Sequence, residues 1–133
     1  MEYEYDEIPR ISYDKLLNHA INCEKVDVIE YLLERGANIN KITNEHFLKA
    51  IRKDNLELIE FYSKLTKKNG KLYFKNDLLK KAFLLAAKLG KLDIIILLKE
   101  TGINFDSELK KAINKAKKSN FMHVAEYLKK IKN

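Results

Sequence analysis

The side chains best able to hold a metal ion or carry nucleophilic chemistry in this chain are Cys23, His19, His46 and His123. Metal binding needs several such donors at close spacing, and nucleophilic catalysis needs a base within reach of the nucleophile. The three histidines fall in separate segments, with no CxxC, HxxxH or HExxH spacing around them. His19 lies on an apolar helical stretch and reads as a satisfied core histidine. Cys23, the single cysteine, has no partner for an internal disulfide and reads as an ordinary small residue near a helix end. Lys68-Asn69-Gly70-Lys71 is an exposed turn rather than a phosphate cradle, because Asn-Gly favours positive backbone angles. Catalysis requires convergent groups in a cleft. The expectation is therefore no enzyme, no catalytic residue, no cofactor and no metal.

The elements that must position these residues are helices. One Pro and four Gly are too few for a turn-rich β fold, and 46% apolar with 34% charged residues suits a soluble helical protein. Ser12 is placed to N-cap a helix running to about Cys23, with Leu16, Leu17, Ala20 and Ile21 on one face. Residues 25–35 give a second helix with Val26, Val28, Ile29, Leu32 and Leu33 inward, ending at Gly36. A second pair starts with Asn44 as N-cap, carrying Phe47, Leu48, Ala50 and Ile51, then Leu56, Leu58, Ile59, Phe61 and Tyr62. An elongated connector spans 64–76. The third pair, from Asn76 or Asp77, carries Leu84, Leu85, Ala86 and Ala87, then Leu92, Ile94, Ile95, Leu97 and Leu98, with Gly90 between its helices. The fourth, from Ser107, carries Leu109, Ala112, Ile113 and Ala116, then Met122, Val124, Tyr127, Leu128 and Ile131.

These pairs are copies of one another. The stretch from Tyr31 to Asn40 has a diverged counterpart from Leu97 to Asp106, and the central alanines Ala20, Ala50, Ala86 and Ala116 are spaced 30, 36 and 30 residues apart. The connector absorbs the extra six residues of the middle interval. A small residue is required there because helices of adjacent layers cross closely.

The pattern resembles the ankyrin repeat, whose unit is two antiparallel helices plus a turn at a period of about 33 residues. Val26-Asp27-Val28-Ile29-Glu30-Tyr31-Leu32-Leu33-Glu34-Arg35-Gly36-Ala37-Asn38-Ile39-Asn40 follows the family's outer helix and its Gly-Ala-Asp-Val-Asn ending. Ala86-Ala87-Lys88-Leu89-Gly90-Lys91-Leu92-Asp93-Ile94-Ile95 is similar to its Ala-Ala-x-x-Gly-His-x-Glu-Val-Val segment. The family's Thr-Pro-Leu-His opening is missing throughout, and the second unit lacks the terminal Gly. The resemblance implies an all-α solenoid of about four stacked helix-turn-helix repeats, 12–40, 41–75, 76–106 and 107–131, forming one domain after an acidic flexible leader over 1–11. Such degenerate repeats look similar to those of large DNA viruses and AT-rich intracellular microbes.

Charge points to a binding face. Residues 1–40 carry four basic and nine acidic side chains, whereas residues 41–133 carry 22 basic and ten acidic ones. The resemblance implies binding on the concave side, formed by turn tips and inner helices. By position this nominates Asn22 and Cys23, Lys41, Asn44, Arg52, Lys53, Lys80, Lys88, Lys110 and Lys118. Tyr73 and Phe74, with Leu72, form an apolar cluster in the connector that either anchors a partner or tucks over the core. The expected activity is protein–protein interaction with a partner bearing an acidic surface or segment. The alternative is nucleic-acid binding through the lysine-rich C-terminal two-thirds, against which stand only three Arg and no interleaved aromatic platform. The acidic N-terminus is no signal peptide, and an apolar run such as Ile94 to Leu98 is far below the ~20 residues of a membrane span. A monomer in the cytoplasm, with the nucleus or a host cell as variants, completes the expectation.

Overall fold

The computed structural model describes residues 12–131; the leader expected over 1–11 lies outside them. Among the described residues there are eight α-helices and no strand, only an isolated bridge between Thr66 and Leu72. The chain divides into two compact units, one ending at Ile42 and the other beginning at Thr43.

The first unit holds α1 (Tyr13–Asn22) and α2 (Val26–Glu34). Ser12 caps α1 as its sequence suggests, its Oγ accepting from the amides of Asp14 and Lys15. Leu17, Ala20 and Ile21 face Ile29 and Leu32 across the pair. Gly36, at φ +99°, lets the Ala37 amide return to the Leu32 carbonyl at 3.0 Å and end α2. The chain then makes a short 3-10 turn, Ile39–Lys41, held to the start of α1 by the Asn38 amide donating to Asp14 Oδ1 at 2.7 Å.

The second unit holds three more pairs: α3 (Asn44–Lys53) with α4 (Leu56–Lys64), α5 (Asn76–Leu89) with α6 (Leu92–Lys99), and α7 (Asp106–Lys118) with α8 (Met122–Ile131). The first helix of each pair packs on the next, α3 on α5 and α5 on α7, while α4 packs on α6. Phe83 of α5 stacks on Phe105 ahead of α7, with ring centroids 4.3 Å apart.

All four central alanines are buried, at 0–3% exposure. Each also does the same thing with its backbone. The carbonyls of Ala20, Ala50, Ala86 and Ala116 accept from the amides of Lys25, Asn55, Lys91 and Phe121, five residues on, at 2.8–3.1 Å. The residue between, Glu24, Asp54, Gly90 or Asn120, is left-handed, with φ from 58° to 73°. The turn between the two helices of every repeat is thus the same helix C-cap, of which only Gly90 is announced by a glycine.

Several expectations need correction. Thr43, not Asn44, is the N-cap of α3, and α7 starts at Asp106 rather than Ser107. Thr43 wins because His46 completes a capping box: its amide donates to Thr43 Oγ1, and its Nδ1 accepts from the Thr43 amide at 2.9 Å. Val28, expected inward, is 45% exposed, and Leu16, Leu56 and Met122 of the apolar patterns are 38–51% exposed. His19 is exposed at the end of α1 and is not a core residue.

Candidate interaction surface

Six of the nominated residues of the second unit fall into two columns when the repeats are aligned on their alanines. Asn44, Lys80 and Lys110 stand six residues before it, and Arg52, Lys88 and Lys118 two residues after. The columns therefore cross the adjacent helices α3, α5 and α7. Asn44, Arg52, Lys53, Lys88, Lys110 and Lys118 are exposed, and Lys80 is half-buried. In the first unit Asn22 occupies the second column's register, and Lys41 lies in the 3-10 turn; both are exposed.

Their charges are not equally available. Arg52 Nη1 meets Glu45 Oε1 at 3.1 Å, and Lys80 Nζ lies 3.9 Å from Glu108 Oε1 on α7. A second link between repeats joins Lys91 to Asp54 at 3.7 Å. Lys88, Lys110 and Lys118 have no ion pair among the described residues. Arg52, Lys88 and Lys118 lie in the last turns of their helices, where the carbonyl ends favour positive charge. Cations at this register are therefore stabilised locally before any partner arrives. On the last repeat, the Lys129 ammonium, by charge repulsion first, holds Lys117 below the usual lysine range.

The connector resolves the other nomination. Phe74 is 3% exposed, its ring centroid 5.1 Å from Phe47 and 5.8 Å from Tyr62. It is a core residue and is removed from the surface candidates. Tyr73 stays half-buried beside it, ring centroids 4.9 Å apart, and its burial raises the phenol pKa. Leu72 points outward, at 38% exposure.

One proximity escaped the sequence reading: Cys23 Sγ lies 3.7 Å from His19 Nε2. The i,i+4 spacing on one helix is the signal that would have found it. Two donors fall short of the three or four protein ligands of a zinc site. No group of three or more His, Cys, Asp or Glu is placed to hold a metal among the described residues, and no helix there is long and apolar enough to cross a membrane.

Residues 13–41, the first helix pair with its turn, match the family model for the ankyrin repeat. No significant match appears among curated proteins or solved structures. The matched unit is similar to an ankyrin repeat, and its helix pair and alanine-anchored turn recur three more times along the chain.

Proposed function

We propose that this chain is a non-catalytic protein-interaction module, acting inside the cell, whose inner helices present a basic surface to an acidic protein segment. The observation that carries the reading is the pair of columns on α3, α5 and α7, in which Lys88, Lys110 and Lys118 are exposed and form no ion pair among the described residues. A protein carboxylate cluster suits compact, flexible ammonium groups. Nucleic acid is the second reading. It is disfavoured because the columns hold a single Arg and no aromatic side chain on which bases can stack.

The test is affinity purification of the full chain from its native cell, run beside the charge-reversed variant K88E/K118E. A protein retained by the wild type and lost by the variant supports the reading; equal recovery by both counts against it. Filter binding across salt decides the alternative. A steep negative log–log slope with micromolar affinity at about 0.15 M salt would replace the protein partner with nucleic acid.

A further inference from the structure

The two basic columns are the ends of a longer feature. On each inner helix of the second unit, the residues six before the alanine, two before it and two after it follow one another at i, i+4 and i+8. They are Asn44-Leu48-Arg52 on α3, Lys80-Leu84-Lys88 on α5 and Lys110-Asn114-Lys118 on α7. Residues four apart stack along one helix face, so each helix carries a single ridge. Its middle lies about 6 Å from either end along the helix axis. Leu48 and Leu84 are half-buried, and Asn114 is exposed. The strip between the columns is therefore apolar on α3 and α5 and polar on α7.

Neighbouring ridges are level with one another. Asp54, four residues after its alanine, meets Lys91, five after its own, at 3.7 Å. One repeat further on, Gly90 lies against Phe121 with the same offset. The repeated offset gives the three helices one common register. Lys88 and Lys118, each two residues after its alanine, thus stand one interhelical distance apart, about 8–10 Å. Both are exposed and form no ion pair among the described residues, whereas Arg52 in the same column is held by Glu45 at 3.1 Å.

That distance discriminates between backbones. A polyproline-II helix brings every third residue to the same face at about 9.3 Å. A β-strand does so every second residue, at about 6.7 Å, or every fourth, at about 13.4 Å, and misses on both sides. An α-helix returns after seven residues at about 10.5 Å, just too far. We propose, resting on the acidic protein partner put forward above, that its segment crosses α3, α5 and α7 in polyproline-II form. It advances one three-residue turn per repeat and sets a carboxylate at every third position against Lys88 and Lys118. Another residue of each turn falls towards the middle of the ridge, where Leu48 and Leu84 suit an apolar side chain. The pattern recognised is one acidic and one apolar residue in every three. This backbone has no internal hydrogen bonds and little conformational freedom to lose on docking.

Fluorescence anisotropy of the full chain with labelled synthetic peptides tests the spacing. One peptide repeats Glu-Pro-Ala; the other has the same composition with its glutamates in one block. Their net charge is equal, so general attraction to a basic surface is the same for both. The repeating peptide binds about 10-fold tighter, and K88Q/K118Q removes the difference with its helical circular dichroism unchanged. A block peptide that binds as tightly overturns the spacing and leaves the basic surface standing. A preference that survives K88Q/K118Q overturns the placement on these lysines. Tighter binding by an alanine-rich helical peptide with a glutamate at every seventh position assigns a helical partner and overturns the proposal equally. If no peptide binds at sub-millimolar concentration the proposal fails, and loss of a native partner from K88E/K118E would then uphold the basic surface alone.

Discussion

Gly90 and Phe121 occupy the turns of neighbouring repeats, and a methyl group on Gly90 would lie 2.5 Å from the nearest Phe121 ring carbon. The glycine serves two needs there: φ of +73° and room for the ring beside it. Gly102 has the first need alone, with nothing within 4 Å of a built Cβ. Gly102→Ala therefore costs about 1–2 kcal/mol of backbone strain, and Gly90→Ala a further ~1–3 kcal/mol from overpacking. Urea denaturation of the two variants checks the order. Equal midpoints would mean that Phe121 moves aside freely.

The alanine register makes a second prediction. Ala86 is fully buried where α5 meets its neighbours, so Ala86→Leu inserts a side chain for which no space exists. The expected loss is about 1–3 kcal/mol, read as a lower thermal midpoint by circular dichroism. An unchanged midpoint would refute the register on which all four repeats are aligned.

The connector separates two apolar residues, Leu72 and Phe74, by function. Phe74→Ala opens a cavity against Phe47 and Tyr62 and costs about 3–5 kcal/mol. Leu72→Ala removes a half-solvated side chain and shifts stability by about 0.5 kcal/mol or less. Similar losses in both, by chemical denaturation, would show that the connector packs as a sheet of apolar side chains rather than through one anchor.

Acid acts on the cap of α3. Burial first, and the charge of Lys49 second, hold the His46 imidazole below its usual pKa of 6.5, with Glu45 opposing. The neutral ring is required, because Nδ1 accepts from the Thr43 amide. This contribution is present in full above pH 6.5, where folded and unfolded chains are both neutral at this position. As pH falls, the unfolded chain takes up the proton first and stability drops until the folded group titrates too. His46→Gln keeps an acceptor at the same helical position and removes this pH dependence; thermal midpoints across pH 5–8 measure it. An identical slope in the variant would assign the acid sensitivity to other groups.

The helix pairs and their buried alanines were legible because a 3.6-residue apolar period reports directly on a helix and its inner face. The turns were not, because a left-handed cap at Glu24, Asp54 or Asn120 is a backbone event that no glycine announces. The capping role of Thr43 was hidden by the neighbouring Asn44, an equally good cap by residue type. Val28 was misplaced for another reason: amphipathic pattern describes a helix and the face it offers, not whether a neighbour is present to cover it. Phe74 was ambiguous because three consecutive apolar residues in a loop do not reveal which one turns inward. The family model matches the first pair, where the Gly-Ala-Asn ending survives beside the helices.

The connector that lengthens the middle interval closes on itself before the chain resumes its helices. Tyr73 donates its amide to the Leu65 carbonyl at 2.7 Å, Lys67 donates to the Lys71 carbonyl at 2.7 Å, and the tip from Lys67 to Lys71 is exposed. Entry and exit are thus side by side, with Phe74 bolting the base to the core. Loop-closure entropy grows only slowly with length, so a foreign peptide spliced in at Asn69 would leave the repeats on either side in place. Residues 67–71 are a ready display port, at which an epitope or fluorophore can be carried without altering any residue of the inner-helix columns.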